Sequence, residues 1–304
     1  MHLVTLFDWD AERIRELLAL AHELKAKARA GKLRATLKGR TLALLFEKSS
    51  MRTRVSFEVA MTQLGGHTIY LSKDDVNLGQ REPIKDGARV LSRYVDGIAA
   101  RTYAHATVEE LAAHSTVPVI NALSDRAHPC QALGDMLTIE ERFENAKGLK
   151  VAFIGDANNV ASSLACICAK LSVDFAIACP AGYDFDPGVR SQLVEAAAET
   201  ESSISVTRDP AEAARGAHVL YTDVWVSMGQ EAEAKKRQCD FAGFCVDADL
   251  VSAASPDVIV MHCLPAHRGQ EITDDVIEGP RSVVFEQAEN RLHAQRALLQ
   301  MLLA

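Results

Sequence analysis

Thr41-Leu42-Ala43-Leu44-Leu45-Phe46-Glu47-Lys48-Ser49-Ser50-Met51-Arg52-Thr53-Arg54 is the stretch whose reading decides this chain. Its first six residues are an apolar run of strand length. The next segment, Val55-Ser56-Phe57-Glu58-Val59-Ala60, reads as the start of a helix. Three hydroxyls, two guanidinium groups and the N–H groups of a helix start therefore meet at the carboxyl end of a buried strand. That combination is an anion site, and phosphate suits it best. Arg52 sharpens the point. An Arg in the first helical turn opposes the helix dipole, so local stability gives little reason for it, and a bound anion removes the conflict. The alternative is a solvated basic helix start.

Strand and helix patterns alternate away from this segment. An amphipathic helix opens the chain through Ile14, Leu17, Leu18, Ala21 and Leu24, with Asp8 or Asp10 as its cap, and Gly31 and the basic run to Arg40 end it. In the first half, strands are expected over 41–46, 67–71, 97–101 and 117–121, and helices over 54–64, 84–94, 108–114 and 129–143. Glu144-Asn145-Ala146-Lys147-Gly148 reads as a joint. A second series follows, with strands over 150–154, 174–178, 203–207, 218–222, 258–262 and 282–285, and a last helix over 286–303. Such alternation implies parallel sheets covered by helices on both faces. The expected fold is α/β, with two doubly wound parallel-sheet domains and an interdomain cleft. In such sheets ligands sit beyond the carboxyl ends of the strands.

Composition narrows the class. The chain has 304 residues, 48% hydrophobic and 24% charged, the profile of a soluble globular protein. A net charge of −8 argues against nucleic acid as the main partner, although a local Arg cluster can still hold a small anion. The seven cysteines, at 130, 166, 168, 179, 239, 245 and 263, are odd in number and form no CxxC pair. Neither a disulfide framework nor a structural zinc site is supported, and a reducing cytoplasm fits. The amino terminus lacks signal-peptide form, and no apolar run approaches a membrane span.

Further polar groups fall at strand ends. Arg101 closes the run Gly97-Ile98-Ala99-Ala100-Arg101; a plain surface Arg is the alternative. In His128-Pro129-Cys130-Gln131, Pro129 suits a first helical position, which leaves His128 at the cap and Gln131 one turn on. A neutral imidazole there can hydrogen-bond a carbonyl, while a structural His is the bland reading. Ile154-Gly155-Asp156-Ala157-Asn158-Asn159 ends a strand without the G-x-G-x-x-G of a dinucleotide site. Its two Asn point to an amino-acid-like group, or simply to a turn. Asp223-Val224-Trp225-Val226-Ser227-Met228-Gly229 offers a carboxylate that can hold an ammonium, or is a plain loop. In His262-Cys263-Leu264-Pro265, Cys263 is a nucleophile, a hydrogen-bonding partner or an apolar filler. His262 and His267 lack a third ligand placed nearby, so no metal is expected.

Taken together, these motifs resemble the ornithine carbamoyltransferase family, within the wider aspartate/ornithine carbamoyltransferases. The resemblance spans the chain: Ser50-Met51-Arg52-Thr53, Arg101-Thr102, His128-Pro129-Cys130-Gln131, residues 223–229, His262-Cys263-Leu264-Pro265 and Glu289-Asn290-Arg291-Leu292-His293 stand in family order. It implies a carbamoyl phosphate-binding domain over 1–145, with the terminal helix 287–304 packing back on it, and an ornithine-binding domain over 146–286. It also implies a cytoplasmic homotrimer whose sites are completed at subunit interfaces by a neighbour's loop, here 74–82. No cofactor is implied.

By position, the resemblance assigns Ser50, Met51, Arg52, Thr53, Arg101, His128, Gln131, Cys263, Leu264 and Arg291 to carbamoyl phosphate, with Asn77 arriving from the neighbour. It assigns Asn159, Asp223, Ser227 and Met228 to ornithine, and catalysis to Arg101, His128, Asp223 and Cys263. The chain departs from the family pattern twice. Met51 replaces a Thr, losing a hydroxyl while keeping a backbone contact, and Asn77 stands where a Gln is common. The implied activity is carbamoyl transfer from carbamoyl phosphate to L-ornithine in arginine biosynthesis. The open alternatives are another amine acceptor such as putrescine or N-acetylornithine, the catabolic citrulline phosphorolysis, and a catalytically silent regulatory subunit.

Overall fold

The structure, a computed structural model, describes residues 1–304 apart from Asn77, Leu78, Gln80, Met228 and the side chain of Glu231. Two compact units are present. One comprises Met1–Leu137 with Glu289–Ala304, and the other Thr138–Ala288.

The first unit carries strands β1 (Thr41–Phe46), β2 (His67–Ser72), β3 (Gly97–Arg101) and β4 (Val119–Leu123). They form one parallel sheet in the order β2-β1-β3-β4. β1, β3 and β4 are buried almost throughout, which is why they read as continuous apolar runs rather than alternating ones. On one face Ala43, Leu45, Ile98, Ala100 and Val119 pack against Ala88, Val108 and Leu111 from the helices Ile84–Leu91 and His105–His114. Gly97 is required by packing. A Cβ there would stand 2.9 Å from Leu303 Cδ2 in the last helix, Val284–Leu303, and 3.3 Å from Leu42 Cδ1.

The second unit carries β5 (Lys150–Ile154), β6 (Asp174–Ala178), β7 (Ile204–Thr207), β8 (Val219–Thr222) and β9 (Ile259–His262), all parallel, in the order β7-β6-β5-β8-β9. Phe153 stacks on Tyr221 across β5 and β8, with ring centroids 5.3 Å apart. Both sheets reverse direction of growth once. In the first the chain leaves β1 for β2 on one side and returns to β3 on the other. In the second, β5 and β8 flank the same kind of reversal. The connections diverge there and leave a crevice beyond the strand ends.

The elements differ from the sequence reading in places. Residues 282–285 form no strand. Ser282 makes a lone bridge to Val260, and the helix takes over at Val284, because a short apolar run such as Val283-Val284-Phe285 suits either state. The fourth strand begins at Val119 rather than 117, since Pro118 has no N–H to give a ladder. Instead Leu3 bridges Ile120, so the amino terminus lies along this strand. The helix after β1 begins at Met51, three residues earlier than the apolar pattern indicates, because Ser50 caps it. Among the described residues no helix is long and apolar enough to cross a membrane.

Candidate active site

At the reversal of the first sheet, Ser50 ends the loop after β1. Its Oγ accepts from the Thr53 N–H at 3.4 Å and donates to Thr53 Oγ1 at 3.1 Å. The first N–H groups of a helix have no partner within it, so this turn faces any ligand with donors. Thr53 is buried and Arg52 half-buried, while the Met51 side chain is 72% exposed. Arg54 turns away, paired with Glu58 at 2.8 Å and stacked 3.9 Å over Tyr70. Of the two guanidinium groups in the motif, Arg52 is therefore the one left for an anion.

Arg101 ends β3 in register with Phe46, and the ladder to β4 shifts between Ala100 and Arg101. Such an irregularity re-aims a side chain at a sheet rim. Arg101 is buried, as are His128, Gln131 and Arg291. Pro129 opens the helix Pro129–Phe143, which places Gln131 in its first turn. Arg291 comes from the last helix, where its Nη1 donates to Gln131 Oε1 at 2.6 Å and its Nη2 to Thr53 Oγ1 at 3.4 Å. Gln131 Nε2 donates onward to Asp135 at 2.8 Å. Gly134 permits the approach, since a Cβ there would lie 3.1 Å from Arg291 Cδ and 3.3 Å from its Cα. Burial first, and then the positive charges of Arg291 and Arg101, hold the His128 imidazole well below its ordinary pKa. It is neutral at physiological pH, fit to hydrogen-bond a carbonyl and unfit as a cation. Five groups widely spaced in sequence thus share one polar, buried, cationic place.

At the reversal of the second sheet, Asp223 follows β8. Its Oδ2 accepts from Asn158 Nδ2 at 2.9 Å, and its Oδ1 accepts from the Val224 N–H at 2.8 Å and from Cys263 Sγ at 2.9 Å. Asn158 also caps the helix Asn159–Lys170 by accepting from Val160 and Ala161. Cys263 follows β9, and the next residue, Leu264, has a left-handed backbone (φ 57°) that L-residues other than Asn and Asp rarely adopt. The Leu264 N–H donates to His262 Nδ1 at 2.8 Å, so the ring proton sits on Nε2, 3.1 Å from the buried Glu271. A second tie joins the same crevice walls. Arg237 Nη1 donates to Asp156 Oδ2 at 2.7 Å and to the Trp225 carbonyl at 3.0 Å. Burial pushes the Asp156 carboxyl up despite that pairing, with Asp223 and Glu233 adding to the push.

Asp223, His262 and Cys263 bring one donor atom each within 4.8 Å of one another. That trio could not be read from the spacing of His262 and His267, because Asp223 is remote in sequence. Its atoms already serve one another: the thiol proton goes to Asp223 and His262 Nδ1 takes the Leu264 N–H. A metal would have to displace both bonds and the thiol proton.

The sequence-derived residues thus fall into two groups: Ser50, Thr53, Gln131 and Arg291 linked by hydrogen bonds beside His128 and Arg101, and Asp223 with Cys263 and Leu264. Asn159 opens its helix and its carbonyl accepts from Ser163, and the Ser227 N–H donates to Gln230 Oε1 at 3.1 Å. Asn77 and Met228 lie outside the described residues. The sequence reading includes Asn158, beside Asn159, and misses Asp156, Arg237 and Glu271. Asn158 also carries the signal of a cap residue at a strand end, whereas Arg237 lies in unremarkable surroundings and Glu271 follows His262 by nine residues without a motif of its own.

Residues 1–141 match the aspartate/ornithine carbamoyltransferase carbamoyl-P binding domain, and residues 147–302 match the Asp/Orn binding domain of the same family. This chain belongs to the aspartate/ornithine carbamoyltransferase family. It is 53% identical over 297 residues to an ornithine carbamoyltransferase of Methanosarcina acetivorans, covering 98% of this chain and 97% of that one. An anabolic ornithine carbamoyltransferase of Pyrococcus furiosus is 53% identical over 301 residues, covering 99% and 96%. Among solved structures, the Pyrococcus furiosus ornithine carbamoyltransferase superposes with a TM-score of 0.97 at 53% identity over 99% of this chain and 96% of that one. As in the carbamoyltransferase family models, the Ser50 group lies in the carbamoyl-P part and the Asp223 group in the Asp/Orn part. Arg291 crosses that division, being matched with the second domain yet packed within the first unit.

Proposed function

We propose that this chain is an ornithine carbamoyltransferase: it moves the carbamoyl group of carbamoyl phosphate to the side-chain amine of L-ornithine, giving L-citrulline and phosphate in arginine biosynthesis. One observation carries the reading. The Ser50–Thr53 helix start, a buried Arg291 and Arg101, and an imidazole kept neutral first by burial and then by those two charges converge at one sheet reversal. An anion with a carbonyl beside it answers that set of groups. The relatives' names support ornithine as the acceptor, and the anabolic Pyrococcus furiosus relative supports the biosynthetic direction.

In this reading Ser50, Arg52, Thr53 and the Met51 backbone hold the phosphate, and Arg101 spans phosphate and carbamoyl oxygen. His128, Gln131 and Arg291 address the carbamoyl group, Cys263 and Leu264 line the reacting centre, and Asn77 comes from a neighbouring subunit. Asn159, Asp223, Ser227 and Met228 hold ornithine. An alkyl ammonium has a pKa near about 10, so the reacting amine must shed a proton before attack. A dry pocket favours that loss and an adjacent carboxylate opposes it. Asp223 is therefore assigned to the α-ammonium. The amine nitrogen bonds to the carbamoyl carbon and gives up a proton, the carbon–oxygen bond to phosphate breaks, and phosphate leaves with the electron pair and takes up that proton. Arg101, His128 and Thr53 stabilise the transient oxyanion, each such donor being worth about 3 kcal/mol. Because phosphate is already a good leaving group, no carbamoyl-enzyme is needed, and Cys263 acts through its hydrogen bond to Asp223.

The same reading makes the protein a cytoplasmic homotrimer. Met51 and Val55, exposed on the helix after β1, and Ile69, exposed on the edge strand β2, are apolar side chains that a neighbouring subunit would cover. A citrulline assay with carbamoyl phosphate, comparing L-ornithine, putrescine and N-acetylornithine at equal concentration, tests the activity. Strong preference for L-ornithine is expected. Turnover of another amine alone would overturn the acceptor, and no turnover with any amine would overturn the transferase.

A further inference from the structure

His128 is presented by a short segment, 124–127, that has almost no regular structure of its own. What holds it is a buried hydrogen-bond chain starting outside the candidate site. His105 opens the helix His105–His114, only four residues after Arg101, and is 4% exposed. Its Nδ1 lies 2.7 Å from Ser124 Oγ, and its Nε2 lies 3.7 Å from Glu109 Oε1. The carboxylate favours the ring proton on Nε2, and burial, working against the charged form, keeps the ring below its ordinary pKa. Nδ1 therefore accepts the Ser124 hydroxyl proton. The hydroxyl's lone pairs are then turned to its two neighbouring donors, Asn121 Nδ2 at 3.1 Å and the Ala127 N–H at 3.3 Å. Ala127 is the residue before His128.

A second bond runs beside the first. The His105 N–H donates to Asp125 Oδ1 at 2.7 Å, and the Asp125 N–H donates to the Tyr103 carbonyl at 3.1 Å. The segment after β4, which ends in His128, is thus clasped to the segment after β3, which begins at Arg101. Ser124 is fully buried, so its resemblance to a nucleophile beside a His and a Glu has no access to substrate.

We propose that His105, acting through Ser124, is a positioning residue that sets His128 against Arg101 at the carbamoyl group. The inference rests on the reading in which His128 addresses that group. Loss of the clasp displaces a donor used in the transition state, while the phosphate contacts of Ser50, Arg52 and Thr53 and the ornithine contacts are untouched.

The test uses the full-length enzyme with carbamoyl phosphate and L-ornithine. His105→Gln should lower kcat on the order of tenfold, less than the roughly hundredfold loss of an oxyanion donor itself. Both KM values should stay within about twofold, as expected for an interaction realised in the transition state. His105→Asn, whose short amide stands where Nδ1 stood, should recover most of the rate. The ring-nitrogen NMR signal of His128, identified by its loss in His128→Gln, should move in His105→Gln and return towards its native position in His105→Asn. A lowered kcat with an unmoved His128 signal would overturn the inference, as would a lowered melting temperature with unchanged kcat. Should His105→Gln fail to fold, Ser124→Ala breaks the same chain at a smaller side chain and is read in the same way. A His128→Gln enzyme with native turnover would instead refute the role given to His128, so the two failures are distinguishable.

Discussion

Arg291→Met asks whether the last helix completes the anion site. The native guanidinium gives Gln131 a charge-assisted hydrogen bond at 2.6 Å and Thr53 a longer one at 3.4 Å, both in a buried setting. Methionine keeps most of the length and apolar contact of the side chain, including the packing over Gly134, and removes only the charge and the donors. A hydrogen bond to a charged group contributes about 1.5–3 kcal/mol. If Arg291 gives one such bond to carbamoyl phosphate, its removal weakens binding by about tenfold to a hundredfold, since about 1.4 kcal/mol corresponds to a factor of ten. The Kd of carbamoyl phosphate, measured by titration calorimetry at fixed salt, should rise by that factor, with the ornithine KM nearly unchanged. Some fold stability is lost as well, because Gln131 Oε1 is left buried without its donor, a cost of about 1–3 kcal/mol. Circular dichroism and the melting temperature separate that loss from the binding effect. A folded Arg291→Met protein that binds carbamoyl phosphate within twofold of the native value would refute the reasoning.

Asp223→Asn should raise the ornithine KM by about tenfold or more while leaving carbamoyl phosphate binding intact, if the carboxylate holds the α-ammonium as proposed; an unchanged KM would remove Asp223 from that role. Cys263→Ser should retain turnover within about tenfold, since a hydroxyl can donate to Asp223 as the thiol does. Complete loss, with a carbamoyl-enzyme trapped on the native protein, would reverse that assignment. His128 makes stability depend on pH in a stated direction. Its folded pKa lies well below the ordinary value of about 6.5, so above that pH neither state binds the proton and the contribution is constant. Below it the unfolded chain binds a proton that the folded one does not, and stability falls by up to about 1.4 kcal/mol per pH unit. The melting temperature of His128→Gln should therefore decline less steeply than the native value between pH 6.5 and 5. Equal slopes would show that His128 carries a proton in the folded state.

The sequence made the architecture legible because both units use buried parallel strands. Runs such as Thr41–Phe46 and Lys150–Ile154 are apolar on both faces, short, and bounded by turn residues, so they have few other readings. Val283-Val284-Phe285 has the same composition, and its outcome was set by the helix that follows. Site residues were legible where a local rule exposed them: an Arg in a helix's first turn, a His before a helical Pro, a carboxylate or thiol just past a strand. Arg237, Glu271 and His105 break no local rule. Their partners are Asp156, His262 and Ser124: the first and third pairings form where adjacent strands bring the segments after them together, and the second where the chain after β9 turns back on His262.

By itself, then, the sequence determined the strand–helix alternation, the two-part organisation and the chemical types offered at each strand end, since these depend on near neighbours along the chain. Tertiary structure alone decided which ends adjoin. Strand orders β2-β1-β3-β4 and β7-β6-β5-β8-β9 put the loops after β1 and β3, and those after β5 and β8, at the two reversals. Tertiary packing also buried His128, the main cause of its neutrality, and brought Arg291 onto Thr53 and Gln131, where its charge adds to that effect. The charge state of a buried imidazole depends on how far away other charges stand in space, and spacing along the chain carries no such distance.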